Sequence, residues 1–367
     1  MKKTFVISAV NFTEGGPLTV LRDCVEAAAE TLSGWRVVVM AHDASLINVP
    51  GVEVITFPYT KKSWLRRLFL EWYGFKTFTK QNTVDLWLSL HDITPNVIAK
   101  RQVVYCHNPS PFSTANWRDS WFDPKYLAFT LFYGFLYAMN IQKNHSVVVQ
   151  QEWIRAEFKR RFRVDRVIVA RPDCRNVGGL KNYDQKFIRS DNKCIFFFPA
   201  LPRCFKNFEL IGEAVEILER SNRWTSRVRW TINGTENSYT RWLRKRFGRL
   251  RSIDWIGRLD REEMIMQYSE VDCLIFPSRV ETWGLPISEA KSANLPMLLV
   301  DLPYAHETVG NWDRVAFFPP NLPSVLAQQM ALFATGELVF TKSKGVVPED
   351  PFADGWRDLL LQLTCDL

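Results

Sequence analysis

Short, almost unbroken apolar runs alternate with helix-length stretches along the whole chain. In the first half they are TFVISAV, WRVVVMA, VEVITF, DLWLSL, RQVVYC, SVVVQQ and RVIVAR; in the second they are CIFFFPA, VRWTIN, SIDWIG, DCLIFPS and PMLLVD. A strand with one wet face alternates apolar and polar residues, whereas one covered on both faces reads as continuous hydrophobics. The pattern therefore predicts parallel sheets with helices on both sides, an α/β fold. The polar stretch from Arg171 to Lys193, with Gly178-Gly179 inside it, separates the two series. It predicts a linker at 176–192 between an N-terminal domain, 1–175, and a C-terminal domain, 193–345. Both are expected to be doubly wound and to face each other across a cleft, with ligands beyond the carboxyl ends of the strands. The segment 346–367 reads as a helix with Trp356, Leu359, Leu360 and Leu363 on one face, expected to pack back on the N-terminal domain.

Composition agrees with two cores: 367 residues, 47% hydrophobic and 23% charged. The start MKKTFVISAV has the two lysines of a signal peptide, but the apolar stretch is short and soon meets Glu14, so it reads as a first strand. The longest uncharged run, Tyr126 to Gln142, falls short of the roughly 20 apolar residues of a membrane span and predicts a buried or interfacial helix. Seven scattered cysteines without a CxxC pair are expected to be reduced thiols in a cytoplasmic protein, with no zinc site. The net charge of +8 is unevenly placed: residues 1–184 hold 24 Lys and Arg against 16 Asp and Glu, and the remainder is balanced. The N-terminal half is therefore expected to face something anionic.

The stretch FPSRVETWGLPISEA leaves an apolar strand and enters a helix. Pro286 suits a first helical turn, so the N–H groups of Gly284, Leu285 and Ile287, with the helix dipole, predict an anion site. Glu281 and Glu289 flank it, and a carboxylate can accept side by side from a vicinal diol such as that of a ribose. A sugar-phosphate ligand follows; the plain alternative is a solvated loop glutamate and a helix-start charge. In PALPRCFKN, Arg203 and Lys206 stand just past a strand, where fixed cations can stabilise a leaving diphosphate. Gly15-Gly16 follows the first strand and permits close backbone approach, although no G-x-G-x-x-G opens either domain. His107, in YCHNPSPF at the end of another strand with Asn108 beside it, is a candidate donor to a sugar or its acceptor.

The stretch FPSRVETWGLPISEAKSANLPMLLVDLP resembles the Glu-x7-Glu signature of glycosyltransferase family 4, retaining enzymes of GT-B fold. The resemblance extends in order through VNFTEGGPLTVLRDCVEAA, YCHNPSPF, VVVQQEWIRAEF, PALPRCFKNFELIGEAVEIL, INGTE and WIGRLDREEMIMQYSEVDCLIFPS. It implies two Rossmann-like domains, a donor site in the C-terminal one and an acceptor site in the basic N-terminal one. It implies that Glu289 holds the nucleotide ribose, that Glu281 lies near the donor sugar, and that backbone of Trp283, Gly284 and Leu285 meets sugar and diphosphate. Lys206 matches the family's lysine, whereas Arg203 stands three residues before it where the family's arginine commonly stands five before. His107 matches a histidine at the sugar site, and Ser278, Thr282, Gly234 and Arg258 fall on loops used around the nucleotide and base. No cofactor and no metal is implied; the nucleotide diphosphate sugar is a co-substrate of a hexosyltransferase-type enzyme.

The loops FTEGGPL and YCHNPSPF are similar to those of bacterial surface-polysaccharide enzymes, of the O-antigen or capsule type. That implies a glycan or undecaprenyl-diphosphate-linked acceptor. The stretch Lys61 to Lys80 sets Leu65, Leu68, Phe69, Trp72 and Phe75 at helical spacing with Lys61, Lys62, Arg66, Arg67, Lys76 and Lys80 elsewhere. This is the pattern of a helix lying on an anionic membrane, here the inner face of the cytoplasmic membrane, or of a core-packed helix with a solvated basic face. Nucleic acid is not expected, since no binding motif accompanies the charge. The rival from another class is a silent scaffold subunit that binds a sugar nucleotide or lipid.

Overall fold

The computed structural model describes residues 2–13, 15–60, 63–113, 117–172, 193–221 and 223–367. The expected linker at 176–192 and the lysines 61 and 62 lie outside these residues. Seven parallel strands come first: β1 (Thr4–Ala9), β2 (Arg36–Ala41), β3 (Glu53–Thr56), β4 (Leu86–Ser89), β5 (Arg101–Cys106), β6 (Ser146–Val149) and β7 (Val167–Arg171). A second series follows: β8 (Ile195–Phe198), β9 (Arg227–Trp230), β10 (Ile253–Trp255), β11 (Cys273–Phe276), β12 (Met297–Val300), β13 (Trp312–Phe318) and β14 (Thr341–Ser343). The chain then adds β15 (Phe352–Asp354) to the first sheet.

Among the described residues the first sheet has the order β15-β7-β6-β5-β4-β1-β2-β3 and the second β10-β9-β8-β11-β12-β13-β14. All pairings are parallel except β13 with β14. Central strands such as β4, β11 and β12 are buried at every position, as their unbroken apolar sequences require. Phe196, Phe197 and Phe198 on β8 are fully buried, each side chain contributing about 1.5–3 kcal/mol of transfer free energy.

The fold is α/β and GT-B, with two Rossmann-like sheets. The compact units are not contiguous in sequence. One comprises Met1–Phe112, Leu131–Asp173 and Pro348–Leu367; the other comprises Ser113–Thr130 and Cys174–Val347. Ser113–Thr130 thus groups with the second unit, away from the continuous 1–175 expected from the strand series. Asp119 and Asp123 on this segment meet Arg279 and Arg203, and Tyr126 stacks on Phe205 with centroids 5.2 Å apart.

In the first unit the helix Trp356–Thr364 buries Trp356, Leu359, Leu360 and Leu363, and Trp356 stacks on Tyr105 at 5.1 Å. Buried Arg155 fixes the approach to β15 by donating to the carbonyls of Glu349 and Pro351, both at 2.7 Å. Part of the terminal segment expected as one helix is therefore strand, because β15 completes the edge beside β7.

The region expected as an amphipathic helix is Trp64–Phe69, a π-helical turn Leu70–Gly74, and Phe75–Gln81. A Cβ at position 74 would lie 2.6 Å from Leu70 Cδ1, so a larger residue there requires the end of the Leu70 side chain to shift. The inward stripe is Arg67, Glu71, Phe75 and Thr79, while Leu65 and Phe69 are 73% and 65% exposed. Arg67 is not on a solvated basic face. Its guanidinium pairs with Glu71 at 2.6 Å, so both charges can be buried where two unpaired ones could not. Among the described residues no helix is long and apolar enough to cross a membrane.

Candidate functional site

Strands β8 and β11 are neighbours in register, Cys273 opposite Phe196 and Leu274 opposite Phe197. Their carboxyl ends therefore release two loops side by side. After β8 the chain makes a short turn, Cys204–Lys206, and Asn207 adopts the left-handed conformation before the helix Phe208–Glu219. After β11 it runs through Pro277 to Gly284 into the helix Leu285–Ser292. Three bonds stitch the loops together: Arg279 N–H to the Phe205 carbonyl at 2.8 Å, the Arg279 guanidinium to the Cys204 carbonyl at 2.7 Å, and Asn207 Nδ2 to the Pro277 carbonyl at 3.3 Å.

This stitching brings Lys206 and Glu281 into a direct ion pair, Nζ to Oε1. Both side chains are largely enclosed, at 15% and 14% exposure, and the ammonium also lies over the rings of Phe205 and Phe276, 5.5 and 5.6 Å from their centroids. A sequence separation of 75 residues hides this contact. Arg203 is more exposed and pairs with Asp123 at 3.2 Å.

Gly284 has a φ of +84° and caps the helix Leu285–Ser292, with Pro286 in its first turn. A side chain at 284 would be strained by that φ and would touch Ile287, Phe276 and Tyr304. The expected anion site needs one correction. Ile287 N–H donates to the Gly284 carbonyl at 2.9 Å, because the helical turn closes there. The N–H groups available to an anion are therefore those of Gly284 and Leu285. The Trp283 indole donates to Ser288 Oγ at 2.9 Å, and its carbonyl accepts from Thr308. Thr282 is half-buried. Ser278 Oγ is buried without a hydrogen-bond partner, while the Ser278 carbonyl accepts from Tyr304 at 2.7 Å.

Glu289 lies farther along the same helix, and Tyr268 donates to its Oε2 at 2.7 Å. Burial pushes the Glu289 carboxyl above the usual range, opposed by the Tyr268 hydrogen bond and by Arg261. Gly234, at φ +94°, packs on the Arg244 side chain, and its N–H donates to Glu236. Arg258 is exposed.

The other predicted residues belong to the first unit. Gly15, at φ +68°, opens the helix Gly15–Thr31, and a Cβ on Gly15 or Gly16 would meet nothing within 4 Å. The loop after β1 and the end of β5 come together there, the rings of Phe12 and His107 being 5.3 Å apart. His107 Nδ1 is buried without a partner. Its backbone is held from below by Asp92, a residue sequence reasoning missed. Asp92 Oδ1 accepts from His107 N–H at 2.7 Å, Asn108 N–H at 3.2 Å and Tyr137 OH at 3.2 Å, and Oδ2 accepts from Tyr133 OH at 3.0 Å. Beside it, buried His91 meets Ser8 Oγ at 2.8 Å and Glu71 at 3.3 Å; burial, then Arg67, pushes His91 well down, so it is neutral. The one signal for this cluster was the polar pair His91-Asp92 directly after the apolar run DLWLSL.

Arg279 was also missed. It is held by Asp119 at 2.8 Å, with Glu209 at 3.8 Å, and burial pushes the Glu209 carboxyl up. Arg279 stood in plain view two residues before Glu281, but its acidic partners come from distant segments.

Residues 181–343 match the family model described as glycosyl transferases group 1, somewhat less than half of the chain. No curated protein matches the sequence. Among solved structures, the chain is similar to a glycosyltransferase from Rickettsia africae ESF-5, at 15% identity over 91% of this chain and 88% of that one, with a TM-score of 0.62. It is similar to WaaG, a glycosyltransferase involved in lipopolysaccharide biosynthesis, at 14% identity over 91% and 92%, TM-score 0.58. It is also similar to Anabaena HepE in complex with UDP-glucose, at 12% identity over 89% and 88%, TM-score 0.57. Residues 181–343 thus carry a glycosyl transferases group 1 domain, and the chain is an enzyme that transfers glycosyl groups.

Proposed function

We propose that the chain is a retaining transferase of the family 4 type, moving a sugar from a nucleotide diphosphate sugar to a hydroxyl of a lipid-linked glycan during cell-surface polysaccharide assembly. The observation that carries this reading is the Lys206–Glu281 pair on the adjoining ends of β8 and β11, beside the helix start at Gly284. It sets a fixed cation against a carboxylate that stands three residues before a helix start whose first N–H groups are those of Gly284 and Leu285. A diphosphate needs the first and third, and a sugar hydroxyl needs the second.

In this mechanism Glu289 holds the ribose and Glu281 orients the transferred sugar without forming a covalent bond to it. The bond from the anomeric carbon to the β-phosphate oxygen breaks. Lys206, with Arg203 once released from Asp123, takes up the charge that develops on the leaving diphosphate. The acceptor hydroxyl attacks from the face the diphosphate leaves, forms the new glycosidic bond, and passes its proton to a β-phosphate oxygen. His107 serves the sugar or acceptor side. A nucleotide-sugar donor is supported by the similarity to HepE, whose structure holds UDP-glucose.

The acceptor and its membrane setting rest on the first unit. The helix Trp64–Phe69 and the turn after it expose Leu65, Phe69 and Tyr73, and Arg66, Lys76 and Lys80 are exposed along the same segment. Leu131, Phe132 and Phe135 are also exposed, at 64%, 67% and 72%. Aromatic and aliphatic side chains beside basic ones suit an anionic bilayer surface. Proton NMR of the first sugar released from an α-linked donor tests the stereochemistry. An initial α product agrees with retention; an initial β product contradicts it.

A further inference from the structure

Tyr268 is fully buried on the helix Arg261–Glu270, which Asp260 and Glu263 cap at its start. Its ring meets Phe197 of β8 edge-on, with centroids 5.5 Å apart, and its hydroxyl is spent on Glu289 Oε2. A core tyrosine that only filled space would do so equally well as phenylalanine. A hydroxyl aimed at a half-buried carboxylate sets which way that carboxylate faces and which lone pairs remain. The helix Leu285–Ser292 is short and Glu289 is long, so without an anchor the carboxylate has several staggered arrangements open to it. With one lone pair of Oε2 engaged, the other lone pair of Oε2 and both of Oε1 are left, three acceptor positions in one plane.

We propose that Tyr268 is the positioning residue of Glu289 and sets the enzyme's preference for a ribose over a 2′-deoxyribose nucleotide. This rests on the assignment of Glu289 to the ribose. Two hydroxyls on adjacent carbons can each donate to one oxygen of the pair, side by side, only if the carboxylate plane is fixed in advance. A 2′-deoxy nucleotide donates one hydrogen bond fewer to this half-buried carboxylate. Tyr268 acts through Glu289 and does not itself touch the ligand.

The experiment measures dissociation constants of UDP, 2′-deoxy-UDP, GDP and 2′-deoxy-GDP by calorimetry. The proteins are the wild type, Tyr268→Phe, Glu289→Ala, the double variant, and Phe197→Leu as a packing control. For the base the protein accepts, the wild type should prefer ribose about tenfold, one hydrogen bond's worth. Tyr268→Phe should lose most of that preference, Phe197→Leu should keep it even if the protein is less stable, and Tyr268→Phe should change nothing further once Glu289 is alanine. A preference that persists in Tyr268→Phe while Glu289→Ala abolishes it overturns the role of Tyr268 and leaves the ribose assignment standing. If the wild type shows no preference and Glu289→Ala binds like it, the ribose assignment fails and takes this inference with it. Binding of none of the four nucleotides overturns the inference, and the donor reading then falls only if no other nucleotide diphosphate sugar binds either.

Discussion

Replacing Lys206 by alanine would leave the Glu281 carboxylate, 14% exposed, without its ammonium. Breaking a fully buried pair costs about 3–5 kcal/mol, and an exposed pair is worth about 0.2–1 kcal/mol. With both partners near 15% exposure the cost should fall between, at about 2 kcal/mol. For a unit of this size that lowers the unfolding midpoint by about 4–8 °C. Turnover should fall further, by about 10²–10³, as when one group that stabilises developing charge is lost. The two effects can be separated. Lys206→Met with Glu281→Met replaces the pair by apolar side chains and should recover most of the stability, yet turnover should stay low. Thermal unfolding and release of free nucleotide from the donor sugar read the two quantities in the same preparations. A Lys206→Ala protein with unchanged midpoint, or a Met–Met protein with restored turnover, would refute the reasoning.

Further expectations concern other parts of the molecule. Because burial raises the Glu289 carboxyl, nucleotide affinity should fall on acidification at a higher pH than an ordinary glutamate would give, and Tyr268→Phe should move that limb higher still. The sign for stability is opposite. A raised folded-state value favours the fold while Glu289 is protonated, and that contribution is lost as pH rises through the raised value, which unfolding at several pH values would show. Asp92→Asn should speed hydrogen exchange at the His107 and Asn108 amides while the β4 and β5 amides stay protected; unchanged exchange would mean the carboxylate does not hold that loop. Leu360→Ala should cost about 2–5 kcal/mol in denaturant unfolding, since the side chain is fully buried. Phe69→Ser with Phe132→Ser should reduce co-sedimentation with phosphatidylglycerol vesicles and leave nucleotide affinity as it was; equal sedimentation of wild type and variant would remove the membrane reading.

Most of both sheets was legible because strands covered on two faces have only one way to look in sequence. The strands at β13, β14 and β15 were not read. β13, WDRVAFF, mixes charge into its first half, and β14 and β15 are three-residue edges too short to show a period. In the Lys61–Lys80 stretch the buried stripe was hidden because it contains Arg67 and Glu71, which pair with each other, while the apolar Leu65 and Phe69 lie on an exposed face. The residues of the Glu281–Glu289 loop were legible one by one. Their partners were not: strand order brings Lys206 to Glu281 and Tyr268 to Glu289, while Asp119 and Asp123, on a segment that joins the other unit, meet Arg279 and Arg203. The role of Asp92 was equally hidden, since it serves His107 across the adjoining ends of β4 and β5.

Donor use by the second unit underlies the proposed reaction. Its most direct test is a panel of UDP, GDP, dTDP and CMP sugars against the purified protein, following thermal shift and release of free nucleotide. One nucleotide diphosphate sugar should raise the unfolding midpoint and be slowly hydrolysed, and Lys206→Ala should slow that hydrolysis by about 10²–10³. Stabilisation and hydrolysis by none of them, with and without a lipid-linked acceptor, would contradict that donor use.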